Sequence, residues 1–143
     1  MALERTLSII KPNAVEKNVI GQIYDCFERN GLRIIAAKMC HLSRKEASDF
    51  YAIHQGKSFF EHLIEFMTSG PIMVQVLEGE NAILKNRVLM GNVDPQKAEI
   101  DTLRAKFGQS VTKNGIHGSD TTNNAEIEIY YFFAKKNLVN RGL

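Results

Sequence analysis

The chain has only two cysteines in 143 residues, Cys26 and Cys40, with no C-x-x-C spacing and no accompanying pair of histidines. Neither a disulfide framework nor a structural zinc site is indicated, and a reducing compartment is the simplest setting. No apolar run approaches the roughly 20 residues that cross a bilayer, and Glu4, Arg5 and Lys11 interrupt the core a secretion signal would need. A cytoplasmic protein with no membrane partner is expected. No Pro/Gly-rich linker or low-complexity tract divides the chain, so one domain is expected over residues 1–143. The net charge of +2 is too small for a general attraction to nucleic acid or anionic lipid. Any anion must therefore be held by cations gathered locally.

What is present is a hydrophobic fraction of 44% and clear periodicity. The run TLSII at 6–10 is β-branched and aliphatic, and Lys11 stands at its end because a residue before proline, here Pro12, avoids helix. Ile20, Ile23, Tyr24 and Phe27 keep helical spacing, with Asn18 as the expected N-cap and Gly31 just past the end. LRIIAAKMCHL at 32–42 reads as a second strand. Ser43 with Glu46 forms a capping box that opens a helix through Phe50 and Tyr51. Ser58 with Glu61 predicts the same device ahead of a helix bearing Phe60, Leu63, Ile64 and Met67. Ser69-Gly70-Pro71 ends that helix before a strand at 72–77, and a further helix starts near Asn81.

Residues 91–113 lack sustained periodicity apart from a turn or two of helix over 102–107, and so long a loop in a compact domain is more often functional than accidental. GIHG is the last short strand. IEIYYFF at 127–133 has a strand's composition, but Ala125, Ile129, Phe132 and Phe133 share a helical face, so a helix capped by Ser119 or Asp120 is expected. The order predicts an α+β fold with a ferredoxin-like βαββαβ core. Its four-stranded antiparallel sheet carries helices on one face, with an inserted helical pair and a C-terminal helix.

Chemistry concentrates in NGIHGSD, residues 114–120. A lone histidine is more often structural than reactive, but the glycines on either side of Ile116-His117 let a ligand approach and leave the imidazole unshielded. For His117 to attack phosphorus, one ring nitrogen must be free while the other donates to a partner that fixes the tautomer. Glu128 falls on the inward face of the C-terminal helix and is a candidate partner, although spacing alone equally allows a solvated carboxylate. Lys11, Arg87 and Arg104 each stand near an element end. Singly they read as solvated cations; together they could converge on one anion. Tyr51 and Phe59 read as core or half-buried aromatics.

NGIHGSD, with SIIKPNAV at 8–15 and EFMTSGPI at 65–72, closely resembles the nucleoside diphosphate kinase family, especially its short bacterial form. Three blocks occur in the family's order, and the resemblance runs from about Ala2 to Phe133. It implies a ping-pong exchange in which the γ-phosphate of a nucleoside triphosphate, with ATP as donor, passes to His117 and then to a nucleoside diphosphate. By the same resemblance, Lys11 contacts phosphate and sugar, Tyr51 orients the histidine, Phe59 stacks on the base, and Arg87 and Arg104 bind phosphates. Asn114 holds the sugar, while Glu128 and Ser119 support the imidazole. Mg²⁺ arrives on the nucleotide with Asp120 as the nearest carboxylate of the motif, and members of the family are homo-oligomers, tetramers or hexamers.

The sequence departs from the family pattern in places. Val93 stands where a threonine hydroxyl would bind phosphate, Asp101 and Lys106 replace Gly and Asp, Ser58 replaces a proline, and Asn123 a frequent glutamate. The rival reading is a ferredoxin-like nucleotide- or nucleic-acid-binding protein with reduced or no transferase activity. It is weakened because the three long strands carry no aromatics on which bases could stack.

Overall fold

The computed structural model describes residues 3–142. Four strands, β1 (Leu3–Ile10), β2 (Arg33–Cys40), β3 (Ile72–Glu80) and β4 (Ile116–Gly118), form one antiparallel sheet in the order β2-β3-β1-β4. The helices are α1 (Pro12–Glu16), α2 (Ile20–Arg29), α3 (Arg44–Phe50), α4 (Phe60–Met67), α5 (Ala82–Met90), α6 (Leu103–Phe107) and α7 (Thr122–Phe132). This is the predicted ferredoxin-like arrangement, with α3 and α4 as the inserted pair and α7 at the C-terminal end.

Register explains how the helices are shared out. Leu7 lies opposite Val76 and Ile9 opposite Val74, so these four point to one face; Thr6, Ser8 and Ile10, opposite Leu77, Gln75 and Met73, point to the other. The first set packs in a core with residues of α3, α4 and α7, such as Ala47, Ile64 and Ile129. On the second face, Ile10 and Leu77 pack with Ile23 and Phe27 of α2, Met90 of α5 and Leu103 of α6. The two core helices α2 and α5 do share one face, as expected. The inserted pair and α7 cover the opposite one, so helices on a single face describes the βαββαβ core and not the whole chain.

Polar residues interrupt the second face. Ser8 and Gln75 are fully buried there, and their polarity is satisfied internally: Gln75 Nε2 donates to Ser8 Oγ (2.9 Å) and the Tyr24 hydroxyl donates to Gln75 Oε1 (2.8 Å). Paired in this way, the polar groups bury at little cost.

Caps separate local signals that hold from those that do not. The Ser43 capping box forms, with Glu46 N donating to Ser43 Oγ at 3.1 Å and Ser43 N to Glu46 Oε1 at 2.9 Å. Asn18 is not an N-cap: with φ of 61° it occupies the left-handed region after α1, and Val19 takes the cap position of α2. The second box is also absent, because α4 starts at Phe60 with Phe59 at its N-cap and no side-chain cap. α7 is capped by Thr121, whose hydroxyl accepts from Asn124 N at 3.0 Å, in place of Ser119 or Asp120. Ser119 is drawn inward by other partners.

Within the long loop, a 3-10 turn at Pro95–Lys97 is capped by Asp94 and α6 is capped by Thr102. Its start depends on Gly91, at φ of 85°, where an added Cβ would sit 2.4 Å from Thr102 Oγ1.

Candidate active site

β4 pairs with β1 so that His117 lies opposite Ile9, which turns its imidazole toward α7 and the α3 end. One turn and more along α7, Glu128 Oε1 meets His117 Nε2 at 2.8 Å. The Ser119 hydroxyl donates to the same oxygen at 2.9 Å and accepts from Leu7 N at 3.3 Å. An ionised carboxylate only accepts, so Nε2 carries the ring proton, and in the neutral imidazole Nδ1 keeps its lone pair. The expected partnership of His117, Glu128 and Ser119 is present, and the carboxylate that spacing left undecided faces inward.

Two aromatic edges hold the imidazole ring. Phe50, at the end of α3, stands 5.5 Å away at 73°, and Tyr51 stands 6.2 Å away at 89°. Tyr51 is buried, and burial together with the Glu128 carboxylate pushes its phenol well above the ordinary range. Tyr51 therefore meets the histidine edge-on as a neutral phenol. The His117 side chain keeps 20% of its surface exposed, enough to meet a reactant.

The ring opens into a cavity of about 360 Å³ whose wall includes Tyr51, Arg87, Val93, Arg104, Asp120 and Glu128. Arg104 is anchored by two backbone carbonyls, Gly91 O through Nη1 and Ile116 O through Nη2, each at 3.0 Å. Burial and the nearby Arg87 lower its guanidinium to about 10, while its Nε has no partner among the described residues. Arg87 projects from the last turn of α5 and is exposed. Two guanidinium groups thus share a small cavity with an unprotonated imidazole nitrogen, an arrangement suited to an anion carrying an electrophilic centre.

Other expected residues stand behind or beside this wall. Lys11 is 6% exposed, and burial with the Arg104 charge lowers its ammonium to about 7. Asn114 is 2% exposed and donates through Nδ2 to Val93 O (3.3 Å) and Val111 O (2.9 Å), tying two parts of the long loop together. Phe59 is 43% exposed, more than a core aromatic, and packs on His54, which lines the cavity. Gly118 has a packing role: a Cβ there would lie 2.4 Å from Asn86 Nδ2 and 2.8 Å from Met90 Cε. Its missing side chain lets β4 lie close on α5.

Phe50, His54 and Asn124 also line the cavity without having been singled out in the sequence. Local signals existed: His54 follows Tyr51 by three residues and Asn124 follows Asp120 by four, spacings that place side chains together on one turn. Asn124 Nδ2 donates to Asp120 Oδ1 at 2.7 Å, and that bond is the main reason the Asp120 carboxyl lies below its ordinary range. Among the described residues no group of three or more histidine, cysteine or carboxylate side chains could hold a metal ion. The cavity carboxylates are Glu128, engaged by His117, and Asp120.

Comparison with known proteins gives a consistent result. The family model described as nucleoside diphosphate kinase matches residues 4–138. A nucleoside diphosphate kinase of Burkholderia thailandensis is 61% identical over 141 residues, spanning 99% of this chain and 100% of the relative. Among solved structures, the nucleoside diphosphate kinase of Aquifex aeolicus superposes with a TM-score of 0.94 at 42% identity, covering 96% of this chain and 100% of that one. A halophilic nucleoside diphosphate kinase from Halobacterium salinarum, solved in complex with CDP, gives a TM-score of 0.94 at 37% identity, covering 99% and 95%.

Proposed function

The chain belongs to the nucleoside diphosphate kinase family, and from this premise we propose that it moves the γ-phosphoryl group of a nucleoside triphosphate to a nucleoside diphosphate through a phosphohistidine at His117. The observation that carries the reading is the bond from His117 Nε2 to Glu128 Oε1 at 2.8 Å, which leaves Nδ1 free in a cavity with two guanidinium groups. In the first half-reaction the Nδ1 lone pair forms a bond to the γ-phosphorus as the bond to the β–γ bridging oxygen breaks, and the diphosphate leaves. In the second, a terminal oxygen of the acceptor diphosphate attacks the phosphohistidine and restores the imidazole. Glu128 stabilises the positive charge that the ring develops.

Arg87 and Arg104 hold the phosphates, with Lys11 adding charge from behind and Tyr51 fixing the ring. Asn114 meets the sugar and Phe59 the base, and stacking on a ring face reads no base edge, which accounts for broad substrate acceptance. Val93 offers no hydroxyl, so one phosphate hydrogen bond worth about 0.5–1.5 kcal/mol is missing. Mg²⁺ carried on the nucleotide would neutralise phosphate charge, and Asp120, in the cavity wall, would be the carboxylate to assist it. ATP is the natural donor, residues 1–143 act as one domain, and the chain works as a homo-oligomer, tetramer or hexamer, in the cytoplasm. A nucleic-acid-binding reading is disfavoured because helices pack on both sheet faces and the exposed stretch of β2, residues 37–39, carries no aromatic on which a base could stack.

Brief incubation with γ-labelled ATP should label the protein in a form lost in acid and stable in base. Equal labelling of His117→Ala would overturn the proposal.

A further inference from the structure

A line of rings runs from His117 through Tyr51 and His54 to Phe59. Tyr51 meets His117 edge-on at 6.2 Å, and His54 lies nearly parallel to Tyr51 at 6.3 Å and 28°. Phe59 follows, 5.4 Å from His54 and tilted by 58°. His54 is therefore the ring that joins the two ends.

Its protonation state is held by a neighbour. Lys57 Nζ lies 3.4 Å from His54 Nδ1, and an ammonium can only donate, so Nδ1 accepts and the imidazole is neutral with its proton on Nε2. Burial and the Lys57 charge act in the same direction, lowering the His54 pKa. The same Lys57 ammonium lies 5.8 Å from the Phe59 ring centroid, so His54 and Phe59 share one cation.

Phe59 needs such support. It occupies the N-cap of α4 without a side-chain cap, is 43% exposed, and among the described residues its aromatic and cationic ring contacts are with His54 and Lys57. An exposed ring with few neighbours samples several rotamers, and each added contact narrows that set before a ligand arrives.

The geometry points to His54 as a positioning residue for the nucleotide base, holding Phe59 at the angle at which a base stacks. The inference rests on the reading of Phe59 as the base platform. His54 acts on Phe59 and takes no part in the transfer, so its effect must depend on the presence of a base.

The test compares ATP with ribose 5-triphosphate, a donor with the same sugar and phosphates and no base, by kcat/KM for phosphorylation of the enzyme. His54→Ala should slow transfer from ATP by about two- to tenfold more than transfer from ribose 5-triphosphate, the span of one aromatic pair. His54→Phe, which keeps a ring without an ionisable nitrogen, should recover most of the loss. Equal slowing of both donors, or of neither, overturns the role of His54. Phe59→Ala separates the premises: if it shows no preference against ATP, the platform reading itself fails, whereas a base-dependent loss in Phe59→Ala with none in His54→Ala rejects His54 alone.

Discussion

Glu128→Gln keeps side-chain size and removes the charge, so it isolates what the carboxylate does for His117. In the parent, one oxygen, Oε1, accepts from both His117 Nε2 at 2.8 Å and the Ser119 hydroxyl at 2.9 Å. Two outcomes are open to the amide. If its oxygen takes the same place, a charge-assisted bond becomes a neutral one, a loss of about 1–1.5 kcal/mol that grows as the imidazole acquires charge. If its NH₂ turns inward, it donates to Nε2 and sends the ring proton to Nδ1, the nitrogen that must attack. Either way, single-turnover phosphorylation from ATP, followed by rapid quench, should slow by at least about tenfold, each tenfold corresponding to about 1.4 kcal/mol of barrier. Nucleotide affinity should change by less than about twofold, because the interaction strengthens only as transfer proceeds. Phosphorylation within about twofold of the parent would refute the assignment of Nδ1 as the nucleophile held by Glu128.

Two further outcomes follow from buried groups near the cavity. Lys11 holds its proton up to about 10.5 when unfolded but only to about 7 when folded, so between these values the unfolded chain binds more protons and stability from this residue rises with pH. Lys11→Met should therefore stabilise the fold near pH 7, by about 4 kcal/mol at most, with the gain gone near pH 10.5. Denaturant melts across that range check it, and a gain independent of pH would contradict it. Gly118→Ala should cost about 1–3 kcal/mol, since its methyl group must displace Asn86 Nδ2 and Met90 on α5. An unchanged denaturation midpoint would show that β4 and α5 are less closely packed than described.

The parts of the fold that could be read in advance depend on near neighbours. The Ser43 box closes within four residues, and the IEIYYFF segment resolves to helix because Ala125, Ile129 and Phe132 share one buried face. One cap signal failed because distant contacts had taken the side chain. Ser119 is bonded to Glu128 and Leu7 N, so it cannot close α7, and Thr121 does so. The site follows the same division. NGIHGSD marked His117 by local composition, but Phe50 and His54 reach the cavity only because the end of α3 and the turn after it fold over β4.

By itself, the sequence determined the element order, the family resemblance and the candidate histidine, all of which rest on periodicity and short motifs. Tertiary structure alone decided that α7 turns Glu128 inward to His117 Nε2, and hence which ring nitrogen is left free. It also decided that Arg104 would be anchored on Gly91 O and Ile116 O, and that Lys11 would lie buried beside it. Such relations join residues far apart in the chain, and a carboxylate or ammonium carries no local sign of whether water or a buried partner will surround it.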